Sequence, residues 1–266
     1  MFDAHTHLQD PRLRGLLPGL LNAAEAAGIC GVCSCATSLA DVADTQALPR
    51  KWGRLQISRA FGVHPWHARG AATGWVETLE TALLADPSAC VGEIGVDGIR
   101  KEIPPALQRG VFTAQLELAA RLQRPVILHG ARAWNELTGL LKSFAPRLPG
   151  LMLHGFSGSL DILRENLRLG AFISLSGALR NPKNTRARAV ASAVPLPQLL
   201  VETDAPDLFF NGASPAGDAD GKPLNQPANL PLVLHALAQL RNVENEALCH
   251  ATHANALFFF NHARTP

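Results

Sequence analysis

Two histidines one residue apart, His5 and His7, stand near the start of the chain in Met-Phe-Asp-Ala-His-Thr-His. Four more groups able to ligate a metal follow at wide intervals: Glu93, His129, His154 and Asp204. Each falls where a short apolar run ends. Glu93 closes the run in Val-Gly-Glu-Ile-Gly-Val-Asp, His129 that in Val-Ile-Leu-His-Gly, and His154 that in Leu-Met-Leu-His-Gly-Phe-Ser-Gly; Asp204 follows Leu-Val-Glu-Thr. The period of two in an extended chain puts His5 and His7 on one face. Four imidazoles and two carboxylates suit Zn, Mn, Co or Fe, and with enough carboxylate and water oxygens also Mg. Six groups are too many for one open catalytic ion and suit two. A carboxylate can bridge ions about 3.5–4 Å apart, the spacing used in phosphoryl displacement. Glu93 is the natural bridge, since a neutral imidazole cannot bridge, and no lysine accompanies the six to act as a carbamylated one.

A single histidine after a strand is commonly a satisfied structural residue. Six groups at the same end of five runs require an architecture that gathers strand ends. The strand candidates are Phe2–His5, Gly28–Cys35, Leu55–Val63, Cys90–Ile94, Pro125–His129, Leu151–His154, Ala171–Leu175 and Leu199–Glu202. They are rich in Val, Ile, Leu and Ala without strict polar alternation, as strands buried on both faces read. Between them lie stretches with apolar residues at three- and four-residue spacing: Gly15–Ala27, Trp75–Ala85, Pro105–Leu122, Trp134–Phe144 and Leu160–Leu169. The predicted fold is α/β, a TIM-type (β/α)8 barrel occupying residues 1–266 as one domain, in which catalytic groups come from C-terminal strand ends. An open doubly wound sheet is the competitor, but no G-x-G-x-x-G follows any strand. Phe209–Gln226, full of Gly, Pro, Asp and Asn, breaks the rhythm after the last strand and is expected to be a substrate-facing loop.

The chain has 266 residues, 47% apolar and 17% charged, with a net charge of +2. That excludes disorder and neither demands nor forbids a nucleic-acid partner. No apolar run approaches the ~18 residues of a membrane helix, and no signal peptide precedes the first strand. Of five cysteines, Cys30, Cys33 and Cys35 lie in an apolar run and lack a second pair to complete a zinc site. They read as small core residues of a protein kept in a reducing cytoplasm.

His-Thr-His (5–7), Gly-Val-His-Pro (62–65), Gly-Glu-Ile-Gly-Val-Asp (92–97), Val-Ile-Leu-His (126–129), His-Gly-Phe-Ser-Gly-Ser (154–159) and Glu-Thr-Asp-Ala-Pro (202–206) resemble the ordered signature blocks of the TatD family. These are metal-dependent deoxyribonucleases within the amidohydrolase-like, metallo-dependent hydrolase barrels. The likeness runs from Phe2 to Asn-Ala-Leu-Phe (255–258). Arg132-Ala133 after His129, with Asp207 after Asp-Ala-Pro, is similar to its YjjV-like branch. The resemblance implies two divalent ions (Mg, Mn or Zn), one held by His5, His7, Asp204 and Glu93, the other by His129, His154 and Glu93. Water acidified there would give its proton to Asp204 and attack phosphorus in line with the leaving oxygen. His64, after the third strand, points at the same mouth without being needed as a ligand, and the resemblance implies that it contacts the scissile phosphate or the leaving group. The implied catalytic set is therefore Asp204, Glu93 and His64.

Other residues carry less. Arg132 either holds a phosphate or is a solvated first-turn residue. Glu202 is either a partner behind a ligating histidine or a buried acceptor. His67, His235, His250, His253 and His262 read as surface or packing residues, and Phe258–Phe260 as core cover. The chain departs from the family pattern at Gly98, Ala131 and Leu-Asn-Gln-Pro (224–227), where an aromatic residue, an arginine and an Arg-Asn-Glu-Pro are usual. Fewer cations at the mouth would weaken backbone binding. The expected activity is phosphodiester hydrolysis on DNA, from the end of a single-stranded or frayed strand, with no membrane and no obligate protein partner. The alternatives are hydrolysis of a small amide, ester or lactone by the same metal pair, and a nucleic-acid-binding barrel without chemistry.

Overall fold

The computed structural model describes residues 1–261, so the expectation for His262 lies outside the described residues. All eight expected strands form: β1 (Phe2–Thr6), β2 (Gly31–Cys35), β3 (Leu55–Phe61), β4 (Cys90–Gly95), β5 (Val126–His129), β6 (Leu151–Leu153), β7 (Phe172–Leu175) and β8 (Leu199–Val201). They pair in chain order and in parallel. The seam between β8 and β1 is closed by backbone bonds from His7 N to Ala205 O (2.7 Å) and from Asp204 N to His5 O (3.0 Å). A (β/α)8 barrel results, and residues at both edges of the seam carry site side chains.

Inward-facing residues make a core that mixes small and large side chains. Ala4, Cys33, Cys35, Ala60 and Cys90 pack there with Phe2, Ile127, Met152, Phe172 and Leu200. The cysteines are free, as the apolar run predicts. The helices are α1 (Leu17–Ala26), α2 (Leu39–Ala47), α3 (Trp75–Ala85), α4 (Pro105–Leu122), α5 (Trp134–Phe144), α6 (Leu160–Arg168), α7 (Thr185–Ala193), α8 (Leu230–Arg241) and α9 (Asn245–Asn261). They cover the outward faces in a second core that includes Phe61, Phe112, Leu116, Leu137 and Leu163. Burying each such side chain contributes about 1.5–3 kcal/mol. α9 closes the N-terminal end of the barrel: Phe259 and Phe260 join the inner core, and Phe260 stacks on Phe2 at 4.8 Å between ring centroids. Phe258 is largely exposed, so core cover describes only two of the three phenylalanines.

Apolar periodicity does not reveal α2 or α7. Both are short, bury few residues and depend on side-chain caps: a Ser38–Asp41 capping box for α2, and Asn184 accepting from Ala187 N for α7. The segment Phe209–Gln226 is less irregular than its composition predicts. A hairpin pairs Asp218–Ala219 with Lys222–Pro223, and Leu224 and Asn225 are buried. Asn225 Nδ2 donates to Thr203 O at 2.8 Å, tying the segment beneath Asp204.

Two strands break the inside–outside alternation, both at the mouth. On β1, Asp3 pairs with Val32 and Thr6 with Ser34, so β1 carries one residue more than β2 between the pairs. On β4, Val91 pairs with Val126 and Ile94 with Leu128, again with one residue extra. Such insertions re-aim side chains. Phe2 and Ala4 face the inner core; unbroken alternation would turn His5 and His7 outward. The extra residue lets Ala4 and His5 follow one another on the inside, and likewise Gly92 and Glu93. Position 92 must be glycine, because a Cβ would come 2.7 Å from Ile127 Cβ.

Candidate metal centre

The six expected groups converge at the C-terminal mouth, grouped around the two oxygens of Glu93. Glu93 Oε2 lies 3.3 Å from His5 Nε2 and 3.5 Å from His7 Nε2. Those two nitrogens are 3.2 Å apart, and Asp204 Oδ1 is 3.6 Å from each. Glu93 Oε1 faces the other way, 2.7 Å from His154 Nε2 and 2.9 Å from His129 Nδ1, which are 3.2 Å from each other. His64 Nε2 joins this second group at 3.3 Å from Glu93 Oε1. Three sets have ligand atoms close enough to share an ion: His5, His7 and Glu93; His5, His154 and Asp204; His64, Glu93 and His129.

What stands behind each ring separates the histidines. Cys35 O accepts from His7 Nδ1 at 2.7 Å. The Asp97 carboxylate accepts from His129 Nε2 at 2.8 Å. Both partners can only accept, so in the neutral rings His7 Nε2 and His129 Nδ1 turn lone pairs toward Glu93. His154 Nδ1 lies 3.6 Å from Glu202 Oε1, an ion-pair distance beyond hydrogen-bond reach; Glu202 Oε1 takes Gly155 N–H at 2.6 Å. His5 Nδ1 rests against Cys35 Sγ at 3.4 Å. His64 is opposite in kind. Its Nδ1 accepts from Trp66 N at 3.1 Å, so the neutral ring carries hydrogen on Nε2 and offers the site a donor.

Electrostatics follow from burial and the crowding of these groups. Burial pushes His5 and His64 down to about 4. Burial opposes charge on His7 as well, but contact with Asp204 and the charge of Glu93 outweigh it and lift the ring to about 9. His129 and His154 are also raised: burial acts against both, and Asp97 with Glu93, or Glu93 with Glu202, prevails. Glu93 stays ionised despite its burial because His154, His64 and His5 surround it. Among the described residues, Glu93 and Asp204 have ion-pair partners only in histidines. Buried carboxylates faced by ring nitrogens, which turn lone pairs inward when the rings are neutral, are a donor set that fits divalent cations.

Buried amides set the positions of the loops. Gln115 on α4 accepts from Val63 N (2.7 Å) and donates to Val63 O (3.1 Å), fixing the turn that carries His64. Gln108, two turns earlier, accepts from Asp97 N at 2.7 Å. Sequence reasoning missed both glutamines and the role of Asp97; their only legible signal is two uncharged polar residues seven apart on one helix. The site opens into a cavity of about 330 Å³ whose lining includes Trp66, Ile99, Trp134 and Leu208 beside His64, Asp97, His129 and Asp204. Arg132 is exposed with φ 53° and does not line this cavity; Ala131 does. His67, His235 and His250 are exposed, and His253 is half-buried against Cys30 Sγ at 3.7 Å, all away from the site. Among the described residues, no helix is long and apolar enough to cross a membrane.

The profile of TatD-related DNases matches residues 2–261. Similar relatives include the 3′-5′ ssDNA/RNA exonuclease TatD of Edwardsiella piscicida, 32% identical over 98% of this chain and 99% of that protein. The metal-dependent hydrolase YjjV of Escherichia coli K12 is 32% identical over 97% of each chain. The crystal structure of E. coli YjjV superposes with a TM-score of 0.88, covering 100% of this chain and 98% of that one at 32% identity. An organophosphorus hydrolase variant from Deinococcus radiodurans, 18% identical with a TM-score of 0.59 over 97% of this chain and 92% of that one, shares the fold.

Proposed function

We propose that this chain, which belongs to the TatD-related DNase family, is a metal-dependent hydrolase that removes nucleotides from the 3′ end of single-stranded or frayed DNA. The observation that carries this reading is Glu93, whose two oxygens face separate histidine groups. The polarity follows that of the TatD relatives, which are 3′-5′ ssDNA/RNA exonucleases.

His5, His7, Asp204 and Glu93 would hold one divalent ion, and His129, His154 and Glu93 a second. Ions held there supply Lewis acidity, which makes water acidic enough to attack at neutral pH and neutralises charge on phosphoryl oxygens. Asp204, at the cavity wall and within 3.6 Å of both His5 and His7, accepts the proton of the attacking water. His64 donates from Nε2 to a phosphoryl oxygen or to the leaving oxygen, and its neutral ring carries that hydrogen at working pH. Trp66, Ile99 and Leu208, all exposed at the rim, receive the terminal sugar and base and keep bulk water from the phosphate. A cavity of about 330 Å³ suits one nucleotide better than a duplex. Free thiols at Cys33 and Cys35, 3.9 Å apart and unbonded, accord with a reducing compartment such as the cytoplasm.

Single-stranded oligonucleotides labelled at either end, incubated with Mg, Mn or Zn and with EDTA, test the proposal. Metal-dependent shortening from the 3′ end, lost in Asp204→Asn and Glu93→Gln, is expected. A wild-type protein that binds metal and leaves every strand intact would sink the nuclease reading and turn attention to small amides and esters.

A further inference from the structure

Many cations on the outer wall of the barrel are neutralised: Arg109 pairs with Glu136 at 2.9 Å, Arg147 with Glu117 at 2.5 Å and Arg164 with Asp161 at 2.7 Å. Around one side of the mouth the pattern reverses. Arg132, in the loop after β5, Arg180 and Lys183, in the connection after β7, and Arg186, in the first turn of α7, have no carboxylate partner among the described residues. The sequence-based expectation of a mouth poor in cations overlooked the Arg180, Lys183, Arg186 spacing.

These four border two depressions that adjoin the metal cavity. One, of about 670 Å³, shares Leu208 with that cavity and is lined by Arg180, Asn184, Phe209 and Phe210. The other, of about 690 Å³, shares Trp134 with the metal cavity and Asn184 with the first depression, and is lined by Arg132, Lys183 and Arg186. The Arg180 guanidinium lies over the Phe210 ring, 5.1 Å from its centroid. Phe210 is itself seated on Gly177, where a Cβ would come 2.1 Å from the ring. A planar cation held on an aromatic ring loses little freedom on meeting a phosphate.

We propose that the two depressions form one track for the part of a single strand that lies 5′ to the nucleotide being removed. Arg180, Lys183, Arg186 and Arg132 take successive phosphates, while Phe209 and Leu208 support the bases next to the cavity. A cationic groove interleaved with aromatic rings is the physical form that sequence-independent single-strand binding takes. The track rests on the nuclease reading above, and the experiment separates the two.

The test compares kcat/KM on a dT12 strand and on a thymidine dinucleotide, in Mn, between 50 and 200 mM NaCl. Wild type is compared with Arg180→Ala/Lys183→Ala/Arg186→Ala and with Lys183→Glu/Arg186→Glu, whose two positions are exposed and carry little folding risk. Each phosphate contact on a single strand contributes about 0.7 to the slope of log affinity against log salt. Losing three should therefore flatten the dT12 slope by roughly 2, so that wild type loses about 18-fold more than the triple variant across this fourfold salt range. The dinucleotide, too short to enter the track, should show no such difference. Equal slopes on dT12, or the same loss on both substrates, would overturn the track while leaving the nuclease reading in place. Should wild type cut neither substrate, the nuclease reading falls; fluorescence anisotropy of labelled dT12 against wild type and triple variant then decides the track by itself, equal affinities refuting it.

Discussion

Replacing Asp97 by asparagine tests whether the groups behind the histidines set which ring nitrogen is free. Asp97 Oδ1 accepts the N–H groups of Ile99 at 2.6 Å and Arg100 at 2.9 Å, while Oδ2 accepts from His129 Nε2 at 2.8 Å. Asparagine replaces one oxygen with a donor. If its oxygen stays on the backbone amides, its NH2 faces His129, which must offer Nε2 as acceptor and carry hydrogen on Nδ1. That nitrogen lies 2.9 Å from Glu93 Oε1, where ligation needs a lone pair. If the amide turns over, its NH2 meets two backbone N–H groups. Either arrangement loses a charge-assisted hydrogen bond and leaves a buried donor unmatched, at about 1.5–3 kcal/mol. The expected result is roughly 10- to 150-fold weaker binding of the ion proposed for His129 and His154, in line with the ~10–100-fold cost of changing a partner behind a metal ligand. An ion at the site proposed for His5 and His7 should keep its affinity, because none of these contacts reaches that side. Chelator competition with Mn or Zn, read with metal stoichiometry and far-UV circular dichroism, measures both sites. Unchanged affinities in a folded variant would refute the tautomer argument, and equal weakening of both sites would refute the division at Glu93.

His64→Gln is expected to leave metal binding intact and lose about 10²–10⁴-fold in kcat, the range for a positioned proton donor; loss of a metal equivalent by elemental analysis would instead make His64 a ligand. Asp86 lies buried between Arg59 (3.1 Å) and Arg50 (2.9 Å). Burial alone would raise its carboxyl, but the Ser88 hydroxyl and the two arginines hold it below the usual range. Its stabilisation is therefore present above the unfolded value near 4 and lost as pH falls through the lower folded value. Asp86→Asn should cost about 3 kcal/mol at pH 7, since Arg59 stays buried without its partner. In urea unfolding the gap to wild type should close progressively below pH 4, and a gap independent of pH would overturn the assignment.

Much of the architecture is legible in the chain because strands buried on both faces leave continuous apolar runs. All eight appear within a few residues of where Val, Ile, Leu and Ala cluster. The long helices, such as α4 and α5, show the same way through their apolar periodicity. α2 and α7 do not, because their stability lies in caps and contacts more than in a wide apolar face. The six candidate ligands are legible for a related reason: each stands at a strand end, and a barrel brings strand ends together whatever their separation in sequence.

By itself, then, the sequence determined which side chains arrive at the mouth, since strand ends are local features. Only the tertiary structure decided how they face. The direction of His5, His7 and Glu93 depends on one extra residue in β1 and one in β4, and a bulge is a mismatch between two paired strands that neither strand contains alone. Whether a ring turns a lone pair or a hydrogen inward depends on groups from elsewhere in the chain: Cys35 O behind His7, Asp97 behind His129, and the Trp66 amide behind His64. The cations along the mouth likewise take their meaning from carboxylates that lie elsewhere in the fold. Residue type and local period are written along the chain; parity, protonation and charge pairing are properties of contacts between distant segments, so they exist only once the barrel has closed.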